Sequence, residues 1–535
     1  MARLNILSDD EFDRLYKIPK IEEDELPVIF EIDEDDKNYL DSINDISGKI
    51  HYILTLGYFR ASQYLFNFTF QSVKRDTKHV LETYFPDSKF PHKQISKHHN
   101  YSNKQAILEK HGMSNYNSNF ESSLKRYLDS LVRQHIVPKY LFDSLLDYCC
   151  KHKIIRPSYT TLQTLISNAC NGEKSRLSNK LYTLMDKPLR DSLAKLLEKD
   201  DLFFQLTSIK KDQKNFSTNE IRSTIKKQQS LSDIYKASVG IIKELGISEQ
   251  NVVYYSELAL YHTVYGLREI KKKNLMRLYL LCYAHHRFLK INDHLASSLI
   301  YKVRYYANEA DSYQMQEIYS AHTDDMGNRS SVANILSIIY SKQNQDHELR
   351  PKIYKEKSYD EFHQLIKDIK KPNFSPEYFR WKYYKNHIQA IKTNTRLIFK
   401  VLNFQSKNKD MMKAINFLKS YFENNKQFSD YNIKEVPISF IPKASQRYIF
   451  EKRESDKKNS KSIDGDCYEF MLYFYLERSL SNGNVTIAES TAYTSLKDEL
   501  FSDEEWLDKS SILKDLENKM ISTDFDEIFN KLEED

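Results

Sequence analysis

The stretch KHKIIRPSYTTLQTLIS, Lys151–Ser167, sets three basic residues and a proline directly before an amphipathic helical pattern. Pro157 forbids an unbroken helix from the residues before it. Thr160 is the expected N-cap, and Gln163, three residues on, completes a T-x-x-Q capping box. Leu162, Leu165, Ile166 and Ala169 recur at i, i+3, i+4 and i+7, which defines a core face. The other face carries Thr161, Gln163, Thr164, Ser167 and Asn168, short polar groups able to bond phosphates or base edges. A helix start presents unpaired N–H groups and positive potential, and Lys151, Lys153 and Arg156 lie just before it. The pattern reads as the second half of a helix-turn-helix, although the connection from Lys153 to Tyr159 exceeds the compact turn of that motif. An ordinary bundle helix meets the same spacing.

The surrounding composition favours helix. Gly totals 10 and Pro 12 in 535 residues, too few for many hairpins or glycine-rich phosphate loops. No GxGxxG or Walker loop is present. The length allows about three or four domains. The formal net charge of +5 hides strong segregation. Met1–Asp41 has 5 basic and 14 acidic residues, and Leu496–Asp535 has the same balance. Ser42–Pro138 is net +6 and Lys139–Ser230 net +7, which suits a polyanionic partner or, more plainly, solvated helix faces. Five cysteines without a CxxC pair argue against a disulfide framework and fit a reducing cytoplasm. No apolar run reaches the ~18 residues of a membrane span, so no membrane partner is expected.

Periodicity places the other elements. Ser8 with Glu11 is a capping box opening an acidic helix. VIFEIDEDDKNYLDSI reads as a short extended piece leading into a helix, and KIHYILTLGYFRAS from Lys49 as a buried helix. Gly112 should stop the helix before it. Leu124, Leu128, Leu131 and Val132 mark a helix ending before Pro138, followed by KYLFDSLLDYCCKHK. Helices are expected near 176–202, 217–245, 255–269 and 275–306. The segments 341–362 and 452–466 read as loops, the first because it is polar and proline-broken. CYEFMLYFYLERSLSNGNVTI reads as an apolar helix stopped at Asn482-Gly483.

Candidate chemistry is sparse. His98-His99 and His285-His286 are adjacent pairs whose side chains diverge on a helix, and neither has an H-E-x-x-H spacing, so no metal site is assigned. Met411-Met412, Tyr254-Tyr255 and Tyr305-Tyr306 read as packing residues, with base stacking the alternative for the tyrosines.

Five segments in order resemble the N-terminal half of a Tn-three family (class II) replicative transposase of the TnpA type. They are ILSDDEFDRLYKIP, KIHYILTLGYFRASQYLF, IIRPSYTTLQTLIS, YYSELALYHTVYGLREIKKKNLMRLYLLCYAHHRF and CYEFMLYFYLERSLSNGNVTIAES. Where the family often carries an Asn-Arg-Leu-Gly element, this chain has Lys49, Ile50, His51 and Tyr52. STAYTSLKDEL also replaces the family's Gly-Asn- or Arg-rich stretch.

The resemblance implies a mainly α chain of several helical domains. The expected borders are 1–120 for a first DNA-binding domain, 121–235 for a second with the helix-turn-helix-like element, 236–340 for a helical domain, and 341–535 for a helical dimerisation and scaffold region. It implies binding to the double-stranded terminal inverted repeats of a transposon, homodimerisation, and a possible separate catalytic half. An Asp-Asp-Glu triad holding two Mg²⁺ ions belongs to an RNase H-like domain expected beyond this chain. No catalytic residue, metal ligand or cofactor is therefore assigned here, and no activity is expected from the chain alone. The DNA-binding candidates are Lys151, Lys153, Arg156, Tyr159, Thr160, Thr161, Gln163, Thr164 and Asn168. A helical protein–protein scaffold without DNA affinity is the alternative. A helical nuclease using the histidines and carboxylates is a third reading.

Overall fold

The computed structural model describes residues 4–91, 95–200, 203–343, 345–370, 376–424, 427–451 and 462–495. Its helices, in chain order, are α1 (Asp9–Tyr16), α2 (Leu26–Ile29), α3 (Glu34–Asp41), α4 (Ile46–Ser62), α5 (Lys74–Tyr84), α6 (Lys97–Lys110), α7 (Ser118–Gln134), α8 (Pro138–Lys151) and α9 (Tyr159–Leu184). Next come α10 (Lys187–Lys195), α11 (Gln205–Lys210), α12 (Thr218–Leu245), α13 (Glu249–Tyr261), α14 (Val264–Glu269) and α15 (Lys273–Tyr340). The last are α16 (Asp346–Glu356), α17 (Tyr359–Ile369), α18 (Pro376–Val401), α19 (Lys409–Glu423), α20 (Lys443–Gln446) and α21 (Gly465–Ser481). Among the described residues the strands pair as three two-stranded antiparallel ribbons and the rest of the regular structure is helix, so the fold is mainly α.

Two compact units emerge. Among the described residues, the first comprises 4–207 and 234–286, and the second 208–233 and 287–495. The border expected at 235 falls inside α12, and the one at 120 inside α7.

In the first unit, α4 is the central element. Every residue from Ile50 to Phe59 is buried, which accounts for its apolar run. Asp45 caps its start by accepting from the Ser47 and Gly48 N–H groups. α2, α5 and α6 pack around it. A Cβ at Gly57 would lie 2.3 Å from Cδ1 of the buried Phe30 ring, so that position admits only glycine. Polar groups inside this core are matched. Asp36, fully buried, accepts from the Tyr52 hydroxyl at 2.8 Å and pairs with Lys110 at 2.7 Å. Tyr58 donates to Asp76 at 2.6 Å. His51 stacks on Phe68, and burial pushes its imidazole down to about 4. The Lys49–Tyr52 departure from the family pattern thus lies on the core helix.

α7, α8 and α9 pack pairwise in the same unit. Asn251, at the start of α13, locks the end of α7 by donating to the Val132 and Arg133 carbonyls and accepting from the Ile136 N–H. Of these three bonds, two satisfy carbonyls that the end of a helix leaves open.

In the second unit, α18, α19 and α21 form the core, with Phe399, Leu418, Tyr468 and Tyr473 buried. Glu469 pairs bidentately with Arg396 at 2.7 and 2.6 Å and accepts from the Tyr473 hydroxyl. Asp293 accepts from the Ser490 and Thr491 hydroxyls and from the Thr491 and Ala492 N–H groups, pinning the loop after the last strand.

Several sequence expectations hold. The Ser8–Glu11 capping box is present. Gly112 and Gly483 adopt φ of +61° and +73° after their helices, the left-handed backbone that favours glycine. Others are corrected. The helix expected at 275–306 runs from Lys273 to Tyr340. The extended piece before α3 contains the single-turn helix α2. The loop expected at 341–362 is largely the helices α16 and α17. Pro351 removes one backbone donor within α16, but Ser358 and Glu361 form a full capping box that starts α17 cleanly. Of the second expected loop, residues 452–461 lie outside the described residues; Ser462-Ile463 form a strand and Gly465 opens α21.

Candidate nucleic-acid interface

The connection between α8 and α9 is a built structure. α8 ends in a Schellman motif, with the Ile154 N–H donating to the Cys149 carbonyl and the Lys153 N–H to that of Cys150. Lys153 therefore sits at the left-handed position, with φ +53°. Ser114 then pairs with this segment, donating to the Lys153 carbonyl at 2.8 Å and accepting from the Ile155 N–H at 3.0 Å. Ile154 and Ile155 are buried, while the side chains of Lys151 and Lys153 remain exposed. A lysine in a conformation that suits glycine costs stability, so Lys153→Gly should raise stability by roughly 0.5–1 kcal/mol. Urea unfolding would show it as a higher midpoint at unchanged slope.

The N-cap of α9 is Ser158, not Thr160. Extended backbone at Ser158 lets its Oγ accept from the Thr161 N–H at 3.2 Å. With Pro157 fixing the preceding residue, the helix begins two positions earlier than the capping-box pattern suggested. The hydroxyls of Thr160 and Thr161 lie 3.0 and 2.8 Å from Ser158 Oγ. Gln163, instead of closing a capping box, is buried and donates to the Leu4 carbonyl.

Three candidate residues are taken up by the fold. Tyr159 accepts from the Ile6 N–H at 3.0 Å and packs against Phe12, Tyr16 and Phe142. Gln163 holds the same N-terminal segment. Arg156 donates to the Ser62 carbonyl at 2.8 Å, at the end of α4, and lies over the rings of Tyr16 and Tyr64. A cation at a helix C-terminus meets its open carbonyls. These contacts arise because residues 4–16, distant in sequence, fold back onto the first turn of α9.

Of the remaining candidates, Lys151 and Lys153 are exposed before α9, Thr161 is half-buried on its first turn, and three others form one edge. Thr160, Thr164 and Asn168 are exposed and lie at i, i+4 and i+8, one above the other on α9. Thr164 Oγ1 donates to the Thr160 carbonyl at 2.7 Å, leaving its lone pairs outward. Leu162, Leu165 and Ile166 are buried behind them. Next to Asn168 a groove of about 370 Å³ opens between α7 and α9, with an apolar floor that includes Leu128 and Ala169 and with Lys125, Arg133 and Arg176 on its walls. Sequence reasoning missed these cations because α7 and α9 meet only in the folded chain. At the other end of the region, Lys139 is neutralised by Glu11 at 3.1 Å and Asp143 at 2.7 Å. In the groove Lys125 is likewise paired with Glu121 at 2.6 Å and Arg176 with Glu173 at 2.7 Å, so the basic character of this region rests on Lys151, Lys153 and Arg133.

Tyr255 and Tyr306 pack into cores, as does Met411. All five cysteines are free. Among the described residues, no helix is long and apolar enough to cross a membrane, and no three His, Cys, Asp or Glu side chains are grouped as a metal site.

Residues 6–169 match the family described as Domain of unknown function (DUF4158). No curated protein matches the chain. The matched span begins at the segment that Tyr159 holds and ends within α9, so it contains both partners of that contact.

Proposed function

We propose that this chain is the DNA-gripping, non-catalytic part of a replicative transposase of the Tn-three family, recognising the terminal inverted repeats of its element. The observation that carries this reading is the DUF4158 match, because that domain is found in the N-terminal regions of such transposases. The helical fold agrees with it. The exposed stripe of Thr160, Thr164 and Asn168, with Lys151 and Lys153 exposed at the end of α8 and in the connection before α9, supplies the chemistry: short polar groups for base edges and ammonium groups for phosphates.

A fluorescence-anisotropy titration tests it, with a duplex carrying the terminal repeat against a random duplex of equal length. The repeat should bind at least tenfold more tightly at physiological salt. Lys151→Ala and Lys153→Gly should each weaken both duplexes and lower the salt slope by about 1. Because Lys153→Gly is expected to stabilise the fold, its loss of affinity cannot come from unfolding. Thr164→Ala and Asn168→Ala should instead change the preference between duplexes. Equal binding of repeat and random DNA by the wild-type protein would refute specific recognition.

The alternative of a helical protein scaffold draws on α15. From residue 311 to Tyr340 this helix has no buried residue, and Met315, Tyr319, Met326, Leu336 and Tyr340 are exposed. Such a helix suits a protein partner, and within the transposase reading that partner is a second copy of the chain. DNA affinity separates the cases: duplex binding supports the transposase reading, and a stoichiometric protein complex on size-exclusion analysis without DNA affinity supports the scaffold.

A further inference from the structure

A cavity of about 640 Å³ opens beside the contact between α1 and Arg156, within the first unit. Its lining includes Arg14, Lys17, Lys20 and Arg156, with Asp13 the one acidic side chain. Asp13 is already paired with Lys17 at 2.6 Å. Among the described residues, Arg14 and Lys20 make no hydrogen bond or ion pair, and both are exposed on the rim. Arg156 is different. It is largely buried, and its Nε is buried with no hydrogen-bond partner. Its one acceptor is the Ser62 carbonyl, and no carboxylate among the described residues pairs with it. Tyr16 and Tyr64 hold the guanidinium plane from the side through their rings. A buried, positioned cation without a counter-charge is costly unless something anionic completes it.

We propose that this cavity is a phosphate seat, with Arg156 as its fixed floor and Arg14 and Lys20 as its rim. Arg156 lines the cavity; with Nη2 donating to the Ser62 carbonyl and Nε enclosed, it offers an oxyanion its charge and its remaining N–H groups, in the planar fork that matches tetrahedral oxyanions. The cavity, at about 640 Å³, has room for more than a phosphate or pyrophosphate group, so it is the cationic lining and not the size that points to a phosphate. Two sources share this chemistry: a backbone phosphate of bound DNA, and a free phosphate ester. The DNA source rests on the reading in the preceding subsection; the free source does not. None of Thr160, Thr164 and Asn168 lines the cavity, so the seat does not share its lining with the α9 edge.

The full chain is titrated calorimetrically with pyrophosphate, and separately by anisotropy with a 30-base-pair duplex. Both are repeated with Arg14→Ala/Lys20→Ala, whose exposed positions leave folding intact, and with Arg156→Gln, checked for its melting temperature. Pyrophosphate binding that falls about tenfold in the double variant supports the seat. If pyrophosphate also displaces the duplex, the source is DNA. If it binds while the duplex does not, the source is a free phosphate ester and the DNA reading fails alone. If the duplex binds, pyrophosphate does not, and the double variant leaves DNA affinity unchanged, the seat is overturned and the DNA reading stands. Binding of neither ligand overturns both.

Discussion

Glu469→Ala should lower the stability of the second unit by about 3–5 kcal/mol. Glu469 is almost fully buried at 2% exposure, and it is the bidentate partner of Arg396. Arg396 is held in place by the Phe422 ring beneath it, 4.9 Å away, so it cannot simply turn out to water. The truncation leaves a half-buried guanidinium without its anion and the Tyr473 hydroxyl without its acceptor. For a unit of this size the melting temperature should fall by roughly 6–20 °C. The control separates charge from packing. Replacing all three groups together, Arg396→Met, Glu469→Leu and Tyr473→Phe, should recover most of the loss, because a matched apolar set removes the unpaired charge. A triple variant no more stable than Glu469→Ala would show that shape, not charge, is decisive at this position.

Asp36→Leu should cost the first unit about 3 kcal/mol. Asp36 is wholly buried and serves several partners: the Tyr52 hydroxyl, Lys110, Arg60 at 3.4 Å and the Asp33 N–H at 3.1 Å. That last bond is half of the capping box that starts α3. Lys110 keeps a second partner in Asp33, whose carboxyl this lysine holds down at about 2. The loss therefore falls mainly on Tyr52, on Arg60 and on the cap. Tyr52→Phe alone should cost about 1 kcal/mol. A double-mutant cycle between the two positions, followed by urea unfolding, should return a coupling close to that value. Additive effects would mean that the Tyr52–Asp36 bond contributes nothing.

Helical periodicity was the most legible feature of the chain. α4, α7, α8 and α21 stand where their apolar spacing places them, because each buries one face or all of its surface in a core that needs no other information to be anticipated. Polarity misled at α16 and α17. Leu365 is the one buried side chain of the pair; α17 nevertheless carries Phe362, Leu365, Ile366 and Ile369 at i, i+3, i+4 and i+7, a pattern masked by its many charged neighbours and by Pro351 just before it, whereas α16 has neither a buried residue nor a side-chain cap. The far half of α15 is similar: without a buried residue from 311 to Tyr340, and tied to α18 by the Asp311–Arg380 and Glu317–Lys382 pairs, it continues a helix begun by a buried half.

For the candidate site, the sequence by itself determined the helix from α9, its apolar face and the polar residues opposite. Local spacing fixes which residues share a helix face, and that survives folding. Only the tertiary structure decided which of the polar residues remain available. Residues 4–16 return to cover Tyr159 and Gln163, and the end of α4 takes Arg156. No short-range pattern records such contacts, because they join positions more than ninety residues apart. The same long-range packing placed Arg14 and Lys20 around Arg156 and set Lys125, Arg133 and Arg176 beside Asn168, bringing together charges that look unrelated along the chain.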